Sequence, residues 1–568
     1  MSRTNQSIPL SSAFEQLYSS SNRFRNAPVN KRVLYLAVQA IANAVVIGFV
    51  ARGLVALIML ITNLAFYGKF SFGAASPANN HLGGWVILVP VAGSVLVGFM
   101  ARYGSKAIRG HGIPEAMEKI IMDDSKIPPA ITFLKPLSAA ISIGTGGPFG
   151  AEGPIIATGG AFGSLTGQAM HISSSERKII LTAGACAGMS AIFGSPLAAL
   201  LLAIELLLFE FSPRSIIPVL LACITGAGMH LLLFENGPVF AMNKVSAPSA
   251  VSLLLYVLSG LLIGLIAALV SKSVYAVEDL FEKLPLHWMW WPAIGAVAVG
   301  IAGYYAPFTM GVGYENIQGL LNTPLPLKVL LGLCFLKYFS WVIALGSGTS
   351  GGTLAPLFTI GGATGALLAM AALHFFPALP IEITTAALVG MAAMFAGASR
   401  ALLTSIVFAL ETTGQVNGLL PLMGACAAAY FVSFFLMEGT IMTEKIKRRG
   451  VEAPDSYEPD MLRLTQLDAL ISPLPEGRLD LPYLFVSDDA GLAAEIMGRY
   501  GCSSVLVLDN EKTRRPLGIV SAAAVLQLYS TQKQKGHAYG SPGRTRRLMV
   551  KGRKFIKKYR YNKNHPER

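Results

Sequence analysis

The chain has 568 residues, 53% of them hydrophobic and only 13% charged, and its 45 Lys and Arg outweigh 31 Asp and Glu for a net charge of +14. A soluble globular domain carries about twice that share of charge, while a disordered chain or a disulfide scaffold is excluded by the apolar fraction and by a total of five cysteines. The composition predicts an all-α, multi-pass membrane protein.

Residues 1–32 are polar, carry a net +4 and lack an apolar core near the start, which predicts a cytoplasmic N-terminal segment rather than a cleaved signal peptide. Residues 33–449 are almost continuously apolar. Val33–Ala51, Val251–Val270 and Leu419–Leu436 are long enough to span a bilayer. Ile141–Gly150, Ile155–Gly163 and Leu354–Gly362 are short and broken by Gly or Pro. Such pieces are tolerated at membrane depth where they line a cavity or lie inside protein, so function is sought there. Residues 450–530 regain an ordinary share of charge. Within them Leu484–Ser487, Ser503–Leu508 and Pro516–Ser521 read as strands, and Ala490–Arg499 and Ala522–Tyr529 as helices, forming a small α/β module. Residues 531–568 carry a net +12 and predict a disordered basic tail, suited to anionic lipid or simply solvated. The basic excess is a tail rather than a folded face with interleaved aromatics, which argues against nucleic acid as a partner. Cys186, Cys223, Cys334, Cys426 and Cys502 show no metal-ligand spacing, and the eight histidines form no HExxH cluster.

An internal repeat organises the apolar region. At an offset of 202 residues Gly150–Pro154 falls on Gly352–Pro356, Gly159–Gly163 on Gly361–Gly365, and Gly188–Phe193 on Gly390–Phe395. Matching interrupted segments in two halves point to a binding site at the repeat interface, often with inverted topology. The number of crossings in each half, which inversion requires to be odd, is left open by the short segments.

Glycine and proline in these segments suit helix starts that approach a solute closely. A dehydrated anion is expensive to bury. Helix N-termini offer free N–H groups and about half a positive charge, so several converging ends would hold an anion and still release it. The bland alternative is tight helix packing. Glu152 is the single acidic residue between Asp124 and Glu176. An intramembrane carboxylate is by default functional: charged, it can occupy an anion seat, and protonated, it leaves. A structural carboxylate paired with a residue such as Lys135 is the alternative.

Gly110-His111-Gly112-Ile113-Pro114, Gly150–Pro154, Gly352–Pro356 and Ala398–Gly414 together resemble the CLC family of chloride channels and chloride/proton exchangers, whose motifs are GSGIP, G(K/R)EGP and GxFxP. The resemblance spans roughly Val33 to Arg449, and residues 450–530 resemble a CBS module. It implies two repeated, inverted halves with broken helices and a small cytoplasmic α/β domain. It further implies a homodimer with one pore per subunit in the cell membrane, both termini cytoplasmic, chloride or a similar small anion as the substrate, and no cofactor or metal. Glu152 falls on the gating and proton-carrying glutamate. Gly110, His111, Gly112, Ile113, Pro114, Gly352, Thr353, Leu354 and Met442 fall on anion-binding positions, and Lys135 on a basic residue with a general electrostatic role.

Several positions depart from the family pattern. His111 replaces a serine hydroxyl donor, and Met442 replaces a tyrosine and cannot donate a hydrogen bond. His111 fits either an anion donor or a neutral packing residue. The inner proton-relay position is Leu206, while the preceding Glu205 is retained in what looks like a structural role, as does Glu411. Passive conduction is therefore expected, with proton-coupled exchange by a rearranged path, or preference for another anion, as alternatives. The CBS-like module is single and has Ala524 where such modules place a ribose-binding Asp, so nucleotide binding is not expected. An intramembrane enzyme is disfavoured: Gly348–Gly352 matches G-x-S-x-G but lies in the second glycine-rich block, not at a strand-to-helix elbow.

Overall fold

The computed structural model describes residues 31–530 apart from 123–124, 171, 235–236, 451–461, 463–464, 475–480, 487, 510–514 and 529. The basic tail 531–568, and all but the last two residues of the N-terminal segment 1–32, lie outside the described residues. The chain forms two compact units, one on either side of residue 455.

The first unit is helical. Its first half holds α1 (Lys31–Tyr67), α2 (Leu88–Tyr103), α3 (Ile113–Met122), α4 (Pro129–Gly144), α5 (Glu152–Ala169), α6 (Ser174–Phe193), α7 (Pro196–Leu208) and α8 (Pro213–Leu233). The second holds α9 (Ala250–Glu282), α10 (Trp291–Tyr305), α11 (Tyr314–Asn322), α12 (Leu327–Gly346), α13 (Leu354–Phe375), α14 (Ile383–Ser399), α15 (Leu402–Thr413) and α16 (Leu419–Leu436), followed by the short α17 (Glu444–Arg448). Among the described residues seven helices are long and apolar enough to cross a membrane. With 37 residues, α1 is roughly 55 Å long, well beyond a hydrocarbon core of about 30 Å, so it tilts or projects from the bilayer.

The halves match helix for helix, and they are inverted. Gly150 and Gly352, equated by the 202-residue offset, pair with each other through an antiparallel bridge, Gly352 N–H donating to Gly150 C=O at 3.1 Å. A residue that pairs antiparallel with its own equivalent lies on a local two-fold axis, so the two chain directions are opposed. The α7 and α15 helices repeat this relation. Near the end of α7, Glu205 accepts from the Leu403 and Thr404 N–H groups at the start of α15, both at 2.9 Å, and from the Thr404 hydroxyl at 2.7 Å. Near the end of α15, Glu411 accepts from Leu197 N–H at 3.0 Å and Ala198 N–H at 2.8 Å at the start of α7. Each carboxylate thus satisfies orphan donors at the positive end of the other helix.

Glycine brings the central helices into backbone contact. A Cβ on Gly159 of α5 would collide with Gly184 C=O of α6, and one on Gly361 of α13 with Gly390 C=O of α14. Small residues permit such approach without a hydrophobic drive between helices. Gly159→Val is expected to cost about 1–3 kcal/mol or more from overpacking, whereas Gly228→Ala points into open space. Thermal aggregation midpoints in detergent should fall for the first variant and hold for the second. The α6 start is set by a capping box: Ser173 Oγ accepts from Glu176 N–H at 3.3 Å, and the Glu176 carboxylate from Ser173 N–H at 3.1 Å.

The second unit has the expected β-α-β-β-helix order: β1 (Tyr483–Phe485), α18 (Ala490–Tyr500), β2 (Ser504–Leu508), β3 (Pro516–Ser521) and a helix over 522–528. β1 runs parallel to β2, and β2 antiparallel to β3. Leu484, Ala493, Met497, Val505, Val507 and Val520 form its core. This arrangement fits a CBS-like module.

Candidate functional site

The turns that precede α3, α5 and α13 meet at one junction. Gly110 bridges Ser350, with Gly110 N–H donating to Thr349 C=O at 2.9 Å and Gly351 N–H to Gly110 C=O at 3.4 Å. Gly112 has φ +98°, and a side chain there would strike the backbone of Gly153. Both conformation and space therefore demand glycine. Pro114, Pro154 and Pro356 lie in the first turns of α3, α5 and α13, where a missing N–H costs nothing. Neither Ala151 before α5 nor Thr353 before α13 caps its helix with a side chain.

Glu152 fills one of these open ends. Its side chain is buried, and Oε1 accepts from Ala355 N–H, in the first turn of α13, at 2.9 Å. The glutamate of one half thus sits at the N-terminus of the equivalent helix in the other. Its carboxylate stands where an anion would be held. The Tyr314 hydroxyl at the start of α11 and Glu152 Oε2 are both buried without a hydrogen-bond partner among the described residues. Lys135 does not pair with Glu152. Its Nζ donates to Ile108 C=O and Gly110 C=O, both at 2.8 Å, and so holds the turn that leads into α3.

Cavities lie on both sides of the junction. One of about 640 Å³ is lined by Arg109, His111, Glu115, Lys135, Tyr275 and Lys445, among others. The other, of about 150 Å³, is lined by Ala151, Met310, Gly313 and Tyr314, among others. His111 is buried, with no partner for Nδ1 among the described residues, and lines the larger cavity. Ile113, Gly352, Thr353 and Leu354 are buried at the junction.

Met442 is buried on a loop that docks nearby. Ile441 N–H donates to Ala398 C=O at 3.0 Å, and the Tyr275 hydroxyl to Ile441 C=O at 2.7 Å. Met442 N–H is taken by Thr440 Oγ1 at 3.1 Å, and the thioether is no donor. Lys445 pairs with Glu115 Oε1 at 2.6 Å, while Glu115 Oε2 accepts from Gly112 N–H at 2.7 Å. Leu206 is buried in the hydrophobic core within a π-helical turn, beside the helix-capping Glu205. Sequence reading did not single out Glu115, Tyr275, Tyr314, Lys337 or Lys445. The repeat was the available signal for two of them, since Lys337 stands 202 residues after Lys135 and Tyr314 the same distance after Gly112.

Ser350 of the G-x-S-x-G match meets the Ser138 hydroxyl at 3.2 Å in this glycine junction, not on a nucleophile elbow. Among the described residues no group of three His, Cys, Asp or Glu is placed to hold a metal ion.

Comparison with known proteins agrees with this architecture. A putative chloride channel protein, ClcB-like, of Ralstonia nicotianae is 28% identical over 349 residues, which are 61% of this chain and 81% of that protein. An H(+)/Cl(-) exchange transporter, ClcA, of Yersinia pestis is 30% identical over 304 residues, which are 52% of this chain and 63% of that one. The solved structure of a slow cyanobacterial Cl−/H+ antiporter shares the fold with a TM-score of 0.65 at 24% identity, covering 73% of this chain and 97% of the other. The family model described as voltage gated chloride channel matches residues 93–434, well over half of the sequence, and the chain belongs to that family.

Proposed function

We propose that this protein carries chloride, or a small anion like it, across the membrane through the glycine junction, and that Glu152 is the gate. The observation that supports this reading most is the Glu152 carboxylate seated on Ala355 N–H at the start of α13, with a cavity on either side of the junction. An incoming anion and the ionised carboxylate compete for the same donors. Protonation removes the charge that holds the side chain there, and the seat passes to the anion. His111, buried on the larger-cavity side with an unbonded ring nitrogen, takes the place of a hydroxyl donor and influences which anion is preferred. The junction is built from one chain, so the reading requires one pore per subunit. The larger cavity is bordered by Lys106, Arg109, Lys119, Lys445, Arg448 and Arg449, which outnumber Glu115, Glu118, Glu278 and Glu282. That basic rim suits the cytoplasmic face, with both termini on that side.

Conduction in this reading is passive. Leu206 carries no proton, and Glu205 is engaged as the cap of α15. Obligatory exchange is the second reading, favoured by the exchanger and antiporter descriptions of two matched relatives. It needs a proton path that avoids residue 206. Proteoliposomes loaded with KCl and diluted into an impermeant anion separate the two. Valinomycin is expected to release chloride without uphill proton movement. Protons driven uphill by a chloride gradient would establish exchange instead, and release no faster than from empty vesicles would overturn the transport reading.

A further inference from the structure

The family motif places a basic residue immediately before its glutamate, and this chain has Ala151 there. The second half of the molecule supplies a cation nearby. Lys337 is fully buried in α12 and is the repeat equivalent of Lys135. The local design around the two is the same: the Ser138 hydroxyl donates to Lys135 C=O at 3.0 Å, and the Ser340 hydroxyl to Lys337 C=O at 3.0 Å. Their ammonium groups differ. Lys135 is bonded to two carbonyls, whereas among the described residues Lys337 Nζ donates to one, Thr309 C=O, at 3.1 Å. Lys337 Nζ also lies against Gly313, where any side chain would crowd it, one residue before Tyr314. Gly313 and Tyr314 line the smaller cavity together with Ala151, the chain neighbour of Glu152. On this side of the gate the titratable groups are Tyr314 and Glu315 from α11 and Lys337 from α12, while α13 offers Ala355 N–H.

We infer that Lys337, with the Tyr314 hydroxyl, is the counter-charge that sets the protonation range of the gate, in place of the basic residue missing at position 151. Lys337 is a positioning residue here, acting through Glu152, and the inference rests on the gate reading above. The ammonium favours the ionised, seated carboxylate. The hydroxyl, buried and without a partner among the described residues, adds a donor available to Oε2. Without them Glu152 takes up a proton from a less acidic solution, and the gate releases at higher pH.

The test is chloride efflux from proteoliposomes as a function of pH. Lys337→Met is expected to move the activation midpoint upward by about one unit, the low end for loss of a close opposite charge. Lys337→Arg should restore it, and the shift should vanish in a Glu152→Gln background. An unchanged midpoint in Lys337→Met, or the same shift with and without Glu152, overturns the inference. If Lys337→Met yields no monodisperse protein, Tyr314→Phe decides: an upward shift of about half a unit supports the pairing, and none defeats it. Persistence of pH dependence in Glu152→Gln alone is a separate outcome, and it would defeat the gate assignment itself.

Discussion

Glu152→Gln is expected to raise anion efflux at neutral pH at least tenfold and to flatten its pH dependence. Glutamine matches glutamate in shape, so Ala355 N–H keeps an acceptor within reach. What is lost is the negative charge, and that charge is what the helix end favours: a carboxylate there is worth up to about 2 kcal/mol in a partly buried geometry. Its charge-assisted hydrogen bond is roughly twice as strong as a neutral one. The amide also turns two N–H donors toward a site that is itself made of donors, so part of the time it leaves the seat. In the wild type, efflux should climb as pH falls through the range in which Glu152 takes up its proton. In the variant the climb should be absent. Chloride efflux measured at several pH values, normalised to protein per vesicle, checks this. A variant with the wild-type profile would show that another group carries the pH sensitivity.

The repeated architecture was legible because its signal is covalent spacing. One offset aligned three glycine blocks, and the structure pairs two of those glycines, Gly150 and Gly352, directly with each other. The direction of the second half was not legible, since spacing is blind to it. The crossed caps were hidden for a different reason. Leu197 of α7 corresponds to Leu403 of α15 at an offset of 206, because α14 continues four residues past its counterpart: α6 ends at Phe193 before a left-handed Gly194, and α14 at Ser399 before a left-handed Arg400. The extra turn has a use, for Ala398 C=O within it receives Ile441 N–H and so seats the loop that carries Met442. The role of Lys135 was legible only as charge near the site. Its actual partners are two backbone carbonyls, and no residue pattern encodes which carbonyls a lysine will meet. The pairing of Glu152 with an amide 203 residues away is likewise a product of the fold, although the glycine and proline flanking both segments marked where to look.

Those carbonyls make Lys135 the second residue whose loss should be severe. Lys135→Met keeps the length of the stem and removes the ammonium that holds Ile108 C=O and Gly110 C=O. Leaving the buried Ile108 C=O unsatisfied costs about 1–3 kcal/mol, and Gly110 C=O keeps only the longer bond from Gly351 N–H. The loss falls on the turn whose Gly110 N–H and C=O bridge to the second half. The electrostatic loss adds to it. A unit positive charge several ångströms from a bound anion contributes about 2 kcal/mol at an effective dielectric constant near 20, or roughly thirtyfold in affinity. Chloride binding followed by isothermal titration calorimetry should therefore weaken at least tenfold, accompanied by a lower thermal midpoint. Lys135→Arg separates the two contributions. It retains the charge but replaces a compact ammonium with a planar fork that does not fit two converging carbonyls. Affinity should recover more than stability does. If Lys135→Met instead bound chloride as tightly as the wild type while losing stability, the residue would be a strut for the α3 turn alone, and the anion would owe its binding to peptide N–H groups without help from a fixed cation.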